Sequence, residues 1–364
     1  MPPNHAFYGD CGELDFWNSA KLCMKEIARR RSVVFVLLLG LTGPLSVLGA
    51  QPPPSAGPCQ LTQLASLDLQ IVNGRVLVPV TIQGEAASMY LNLGSSFSAL
   101  SKQAVTRFAL RTTDYEFEKG PGFMSGKTPV QQSAWPTSLN LGGVHYQDEE
   151  FPVDPLSEDS GYKSGQVSGA IGINRLWRMD LELDLAKKRM NLYSPDHCPA
   201  QGVQWTSHYQ VIPLRRDGIG GFFFPVELDG RKIEATFGPT NSLTTLSTDV
   251  TRRLYGFDKN SPDVQSVRDA SGKFTAHTRA MALTVNGLTL MDETVMLTDP
   301  LSDRCRLAIK SEGAVGYTDC IYRYPLHLGN GFLEKLHVYI ATKENVLYYT
   351  VNESVAAGQR SEGQ

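Results

Sequence analysis

The stretch that decides the fold class is residues 77–85, Leu77-Val78-Pro79-Val80-Thr81-Ile82-Gln83-Gly84-Glu85. Apolar and β-branched residues fill residues 77–82, which is typical of a strand. Gln83-Gly84 then predicts a tight turn, because glycine supplies the positive φ that a short hairpin needs. Residues 87–93 predict the returning strand. The stretch therefore predicts a β-hairpin at the start of a mainly β protein.

The same order of elements recurs later in the chain. Residues 101–110 predict a short helix after the first hairpin. Residues 224–228 and 233–237 predict a second hairpin around Asp229-Gly230, and residues 247–254 predict a second short helix. A constant offset of 146 residues pairs Gly84 with Gly230, Pro79 with Pro225, Leu100 with Leu246, and Ser101 with Ser247. Internal repeats of this kind predict duplicated structural units.

A second shared block closes each half of the chain. Residues 171–176 and 328–333 each place a glycine after an aliphatic residue, before a short helical turn and a further hairpin. We therefore predict two duplicated lobes with short helices, an N-terminal lobe at 59–201 and a C-terminal lobe at 202–352. Residues 353–364 are predicted to be a disordered tail.

These blocks resemble the bacterial retropepsin-like aspartic peptidases over about residues 60–350. The resemblance implies a mainly β, two-lobed, single-chain fold of the pepsin and retropepsin type, with one Asp-Thr-Gly motif in each lobe. This sequence departs from that motif twice. Asn92, Leu93 and Gly94 stand at the first motif, and Gly238, Pro239 and Thr240 stand at the second. An aspartic peptidase needs two carboxyl groups that share one proton, so these positions predict a catalytically inactive protein.

The resemblance also implies a cleft between the lobes. A cleft binds an extended peptide or a partner protein without catalytic aspartates, because main-chain pairing supplies the affinity. The cleft and flap candidates are Ser95, Ser96, Phe123, Met124, Asn241 and Ser242. Two alternatives stay open at this point. One is an active aspartic-type endopeptidase with acids at other positions, and the other is a structural protein of the cell envelope.

The N-terminal region predicts export. Arg29-Arg30-Arg31, the apolar run 33–41 and the small residues Gly49 and Ala50 follow the order of a secretory signal, so we assign 1–50 to a signal region. Met24 is a candidate for the true start. A Pro-rich linker follows at 51–58. The mature protein is expected to be periplasmic or secreted, without a stable membrane span.

Cysteine usage is consistent with an oxidising compartment. Outside the signal region the chain has Cys59, Cys198, Cys305 and Cys320. Four cysteines permit three pairings, of which we favour Cys59 with Cys198 and Cys305 with Cys320; free buried thiols are the alternative.

Composition excludes other classes of function. The 364 residues include 34 Lys and Arg against 37 Asp and Glu, and this balance lacks the basic excess of a nucleic-acid-binding protein.

Ser160 and Lys163 match a Ser-x-x-Lys pattern, but they lie in a predicted loop without a partner motif. His197 and Asp184 are predicted to be structural, with Asp184 capping a turn at Lys187 or Lys188. We therefore expect no metal and no cofactor.

Overall fold

The computed structural model describes residues 61–94, 98–114, 124–125, 128–154, 167–195, 203–216, 221–238, 242–268, 271–298 and 326–352. The predicted signal region, the linker and the tail lie outside these residues. So do the four cysteines, Ser160, Lys163 and His197. No helix in the described ranges is long and apolar enough to span a membrane.

The described part of the first half of the chain is built almost entirely of strands. These are β1 Gln63–Asp68, β2 Gln70–Val72, β3 Arg75–Ile82, β4 Glu85–Asn92, β5 Ala99–Ser101, β6 Arg111–Asp114, β7 Met124–Ser125, β8 Thr128–Pro129, β9 Gln132–Trp135, β10 Leu139–Leu141, β11 Val144–Tyr146, β12 Phe151–Asp154, β13 Gly169–Gly172, β14 Asp180–Asp184 and β15 Arg189–Tyr193. Its helices are α1 Lys102–Arg107 and α2 Ile173–Leu176.

The described part of the second half has the same character. Its strands are β16 Gln210–Pro213, β17 Arg215–Arg216, β18 Phe222–Leu228, β19 Arg231–Phe237, β20 Thr244–Ser247, β21 Gln265–Arg268, β22 Phe274–Val285, β23 Leu288–Thr298, β24 Leu326–Leu328, β25 Leu336–Ala341 and β26 Val346–Val351. Its helices are α3 Thr248–Val250, a π-helical turn at Thr251–Tyr255 and α4 Asn330–Leu333. The predicted mainly β class is therefore confirmed.

Two sheets repeat one strand order. The first sheet contains the path β3-β4-β13-β5-β12-β9-β6, and the second sheet contains the path β18-β19-β24-β20-β23-β22-β21. Strand directions also correspond, because β4 runs parallel to β13 as β19 does to β24, and β5 runs parallel to β12 as β20 does to β23. The repeat predicted at an offset of 146 residues is thus present in the topology. The boundaries of the two lobes stay a prediction.

Local chemistry explains why the repeated units begin alike. Gln83-Gly84 and Asp229-Gly230 all have positive φ, which is the geometry of a two-residue hairpin turn. Ser101 caps α1 by accepting a hydrogen bond from Ala104 N, and Ser247 caps α3 by accepting one from Asp249 N.

The second repeat departs from the first after its cap. The predicted helix at 247–254 is a short α-helix followed by a π-helical turn. β-branched residues crowd this segment, and the Thr251 hydroxyl donates to the Thr248 carbonyl, which competes with regular helical hydrogen bonding.

A third sheet, which we call the shared sheet, takes strands from both halves in the order β1-β15-β14-β25-β26-β16. Its central pair is β14 with β25, where Leu183 is opposite Val338. Both side chains are buried in one hydrophobic cluster that also contains Leu91 of β4 and Phe237 of β19. One core therefore supports both repeats, and all described residues belong to a single compact unit.

Candidate functional site

The first predicted site lies where β4 ends. Asn92 is half-buried and pairs with Gly172 of the parallel strand β13. Leu93 follows and points into the core, with 1% of its surface exposed. Leu93 is therefore a packing residue, and its side chain has no hydrogen-bonding group.

The second predicted site lies where β19 ends, and the structure brings it against the first. A Cβ added at Gly94 would overlap the carbonyl oxygen of Phe237 and lie 3.8 Å from Gly238 Cα. Gly238 N donates to Leu328 O at 2.8 Å. Gly94 has no room for a side chain because the two strand ends approach closely, and a Cβ added at Gly238 would lie 3.0 Å from His327 Cβ. We call this contact the strand-end junction.

The other predicted site residues are only partly described. Ser242 packs against Gly74, and Asn330 Nδ2 donates to the Gly74 carbonyl, so a turn of the first half contacts the second half here. The backbone of Met124 belongs to β7. Ser95, Ser96, Phe123, Pro239, Thr240 and Asn241 lie outside the described residues.

A pair of buried hydroxyls supports the junction and was missed by the sequence reasoning. Ser98 Oγ accepts from Gly172 N at 2.8 Å and donates to Asn174 Oδ1 at 2.7 Å. Thr244 Oγ1 accepts from Gly329 N at 3.4 Å and donates to Glu293 Oε1 at 2.9 Å. The offset of 146 residues pairs these two hydroxyls, so the repeat itself contained the signal.

A second polar cluster lies on the outer face of the shared sheet. Asp180, Glu182 and Asp184 alternate with Leu181 and Leu183 along β14. Since successive side chains on a strand point to opposite faces, the leucines enter the core and the three carboxylates share the outer face. The register of β25 places His337 opposite Asp184 and Tyr339 opposite Glu182.

Glu182 is the centre of this outer cluster. Its carboxylate accepts hydrogen bonds from Tyr193 OH at 2.6 Å and Asn191 Nδ2 at 2.9 Å, and Oε1 lies 2.8 Å from His337 Nε2. Burial alone would raise the pKa of Glu182. The hydrogen bonds from His337, Tyr193 and Asn191 outweigh burial and hold that pKa below its ordinary value.

Asp180 is fully buried beside this centre. It accepts hydrogen bonds from Tyr339 OH at 3.0 Å, Thr342 N at 2.8 Å and Thr342 Oγ1 at 3.1 Å. Burial, together with the negative charge of Asp180, raises the pKa of Tyr339 far above its ordinary value. Tyr339 therefore stays a neutral donor, and Asp180 fixes the start of the turn after β25.

Asp184 lies at the opposite end of β14. Its Oδ1 accepts from Lys187 N at 3.0 Å, and its Oδ2 lies 3.1 Å from the Lys187 ammonium. The predicted cap of the turn at Lys187 is thus confirmed. Trp205 stacks on His337 with ring centres 3.6 Å apart, and it donates from Nε1 to Thr350 Oγ1. Sequence reasoning missed Glu182 and Trp205, and for Glu182 the alternation along 180–184 was the available signal.

The chemistry of the two places differs. The described part of the strand-end junction offers an amide and main-chain groups, which donate and accept hydrogen bonds without exchanging protons near neutral pH. The outer cluster is ionisable, but its carboxylates are already hydrogen-bonded. Across the described ranges, no group of three or more His, Cys, Asp or Glu side chains is placed to hold a metal ion.

Comparison with known proteins corrects the predicted family. No family model matches the chain, and no curated protein matches it. The chain is similar to a solved structure titled "Crystal structure of Basic 7S globulin from soybean", with 10% identity, 82% of this chain and 97% of that chain covered, and a TM-score of 0.47.

The predicted membership of the retropepsin-like aspartic peptidases is therefore wrong, because neither a family model nor a curated protein supports a peptidase. The prediction rested on the order of hairpins and short helices, since Asn92 and Gly238 had already removed the defining aspartates. That order describes a β architecture and is not specific to a peptidase.

Proposed function

We propose that this protein is an exported, non-catalytic binding protein with two lobes and a groove between them that passes the strand-end junction. The observation that carries the proposal is the contact of Gly94 with Phe237 and Gly238. At this contact β4 ends in the amide of Asn92, and β19 ends at Phe237 and is followed by Gly238, which has no side chain.

The residues at the junction favour binding over hydrolysis. General acid and base catalysis needs a group that gains and loses a proton near the working pH. Asn92 cannot do so, and Gly238 has no side chain. Ser98 and Thr244 are committed to the main chain of Gly172 and Gly329 and hold the strand ends in place.

An extended peptide or a peptide segment of a partner protein is the ligand that such a junction suits. Amide and main-chain groups at the ends of strands pair with the main chain of an extended segment, and this pairing depends little on side-chain sequence. The proposal therefore expects modest affinity and broad specificity.

Export is part of the proposal. The basic, apolar and small-residue order of 1–50 and the even number of cysteines after it support a periplasmic or secreted location.

The test combines binding with turnover. The purified mature protein is incubated with a library of unstructured peptides from acidic to neutral pH, and mass spectrometry follows both retained and cleaved peptides. We expect retention without cleavage, and we expect Asn92→Ala to weaken retention about fivefold, the effect of one lost hydrogen bond.

Asn140→Ala is the matched control, because Asn140 is also a half-buried strand amide, which donates to Thr81 Oγ1 on the far side of β3 from β4. It should leave retention unchanged. Cleavage that an aspartic peptidase inhibitor blocks would contradict the proposal, and so would a complete lack of retained peptides, which is the behaviour of a purely structural protein.

A further inference from the structure

An open cavity of about 1010 Å³ lies on the outer face of the shared sheet, away from the residues of the proposed peptide groove. On one side it is lined by the segment 205–210, which we call the strap. On the other side it is lined by the end of β14 and the turn after it, by His337, and by residues 349–352 at the end of β26 and just after it. Its volume is at the upper end of the range for small-molecule pockets.

Two aromatic residues form the strap side of the cavity. Trp205 and Tyr209 are both partly exposed, and each is held by the sheet beneath it. Trp205 stacks on His337, and Tyr209 packs its ring edge-on against Tyr348 with centres 5.4 Å apart. The rings are therefore fixed in place before a ligand arrives, which lowers the entropic cost of binding.

A carboxylate with unused hydrogen-bonding capacity forms the floor. Asp184 is 4% exposed, and its Oδ2 accepts no hydrogen bond although it lies 3.1 Å from the Lys187 ammonium and 3.8 Å from His337 Nδ1. The Lys187 side chain is 76% exposed and can move aside. A donor group on a ligand would then take the place of the Lys187 ammonium at a buried carboxylate oxygen that accepts no other hydrogen bond.

The charges and polar groups of the lining select the class of ligand. Asp184 and Lys187 have opposite charges and face the same space, so a ligand of either net charge would meet one repelling group. The rest of the lining is rich in hydroxyl and amide groups, from Thr206, Ser207, Gln210, Thr350 and Asn352. Such groups both donate and accept, as ligand hydroxyls do.

We propose that this cavity binds a neutral polyhydroxylated ligand, a saccharide unit that packs its C–H face on the strap aromatics and donates a hydroxyl to Asp184. The C–H groups of a sugar ring carry partial positive charge and suit the negative face of an aromatic ring. The site is separate from the proposed peptide groove, so either proposal can fail without the other.

The test is calorimetric titration of the full chain with three neutral probes: maltotriose, cellotriose and tri-N-acetylchitotriose. We expect at least one of them to bind in the millimolar range or more tightly. Asp184→Asn keeps the shape of the side chain and should weaken that binding at least about tenfold, because a hydrogen bond to a charged acceptor is lost. Trp205→Phe, which keeps a ring on His337, should weaken it less than Trp205→Ala.

Two control variants separate this proposal from the other outcomes. Lys187→Ala should leave saccharide affinity unchanged or improve it, since the lysine competes for Asp184. Trp177→Ala removes an indole that is 39% exposed and is not part of the cavity lining, and it should have no effect. Circular dichroism and thermal unfolding verify that each variant is folded.

The proposal is overturned if none of the three probes binds, or if Asp184→Asn and Trp205→Ala bind as the unaltered protein does. Titration with inorganic phosphate and with spermine completes the comparison. Binding of either ion that Asp184→Asn abolishes, in the absence of saccharide binding, would assign the cavity to a charged ligand instead.

Discussion

At the scale of single residues, the outer cluster shows how a strand can hold three carboxylates side by side. Asp180, Glu182 and Asp184 each have different partners: neutral donors for Asp180, a histidine and neutral donors for Glu182, and a lysine for Asp184. Mutual repulsion is offset because every carboxylate accepts hydrogen bonds. The cluster is therefore stable only while all of its partners are present.

Asp180 should be the most costly of these carboxylates to remove. Asp180→Ala leaves Tyr339 OH and the Thr342 donors without their buried acceptor, and we expect the free energy of unfolding to fall by about 3 kcal/mol. Asp68→Ala is the control, because its side chain is 84% exposed and makes a surface ion pair with Arg189, so the loss should stay below about 1 kcal/mol. Urea unfolding measures the loss of unfolding free energy in both variants. Equal losses would show that the buried hydrogen bonds of Asp180 stabilise the protein no more than a surface ion pair does.

Glu182 gives stability a dependence on pH with a definite sign. Its folded pKa is lowered, so its contribution is complete above the ordinary pKa of 4.5 and is lost as pH falls through the folded value. We expect the difference in unfolding free energy between the unaltered protein and Glu182→Gln to shrink on acidification below 4.5. A difference that is constant over this range would contradict the assignment.

At the scale of elements, the strand-end junction sets how closely the two hairpins approach. A Cβ at Gly94 would overlap a backbone oxygen that cannot move without shifting the end of β19. We expect Gly94→Ala to destabilise the protein by about 3 kcal/mol through this overlap.

Gly84→Ala separates that overlap from backbone strain. Gly84 has a φ of +83° but has open space around it, so alanine there should cost only about 1 kcal/mol. Thermal and urea unfolding measure the loss of stability in the two variants. A loss at Gly94 no larger than the loss at Gly84 would mean that the two strand ends do not touch as described.

At the scale of the whole molecule, the shared sheet makes the two repeats one cooperative structure. β14 and β25 pair at its centre, and their inner side chains belong to the same core as β4 and β19. Neither repeat can lose this sheet without exposing an unpaired strand edge and apolar surface.

We therefore expect one unfolding transition. We also expect a substitution in the central β14–β25 pair to lower the stability of both repeats. Ile340→Ala removes a fully buried side chain opposite Leu181 and should cost about 2–5 kcal/mol. Hydrogen exchange should speed up equally in the β3–β4 and β18–β19 hairpins. Val267→Ala, at an exposed position, is the control. Faster exchange confined to the second repeat would show independent folding.

The strands, the turns and the repeat could be predicted from the amino-acid sequence, because they depend on local chemistry. Gly84 and Gly230 supply the positive φ of two hairpin turns, and Ser101 and Ser247 cap the helices that follow them. The sequence also showed that Asn92 and Gly238 supply no acid. It led to the wrong family, since an order of hairpins carries no information about chemistry.

Contacts between residues far apart in the sequence could not be predicted in this way, because they depend on how the strands pair. Glu182 and His337 are 155 residues apart, and their contact depends on the register of β14 against β25. The strap aromatics reach the same face because Trp205 stacks on His337 and Tyr209 packs against Tyr348 of β26. Local propensity acts over a few residues, whereas sheet register is set by burying two leucine-bearing faces in one core.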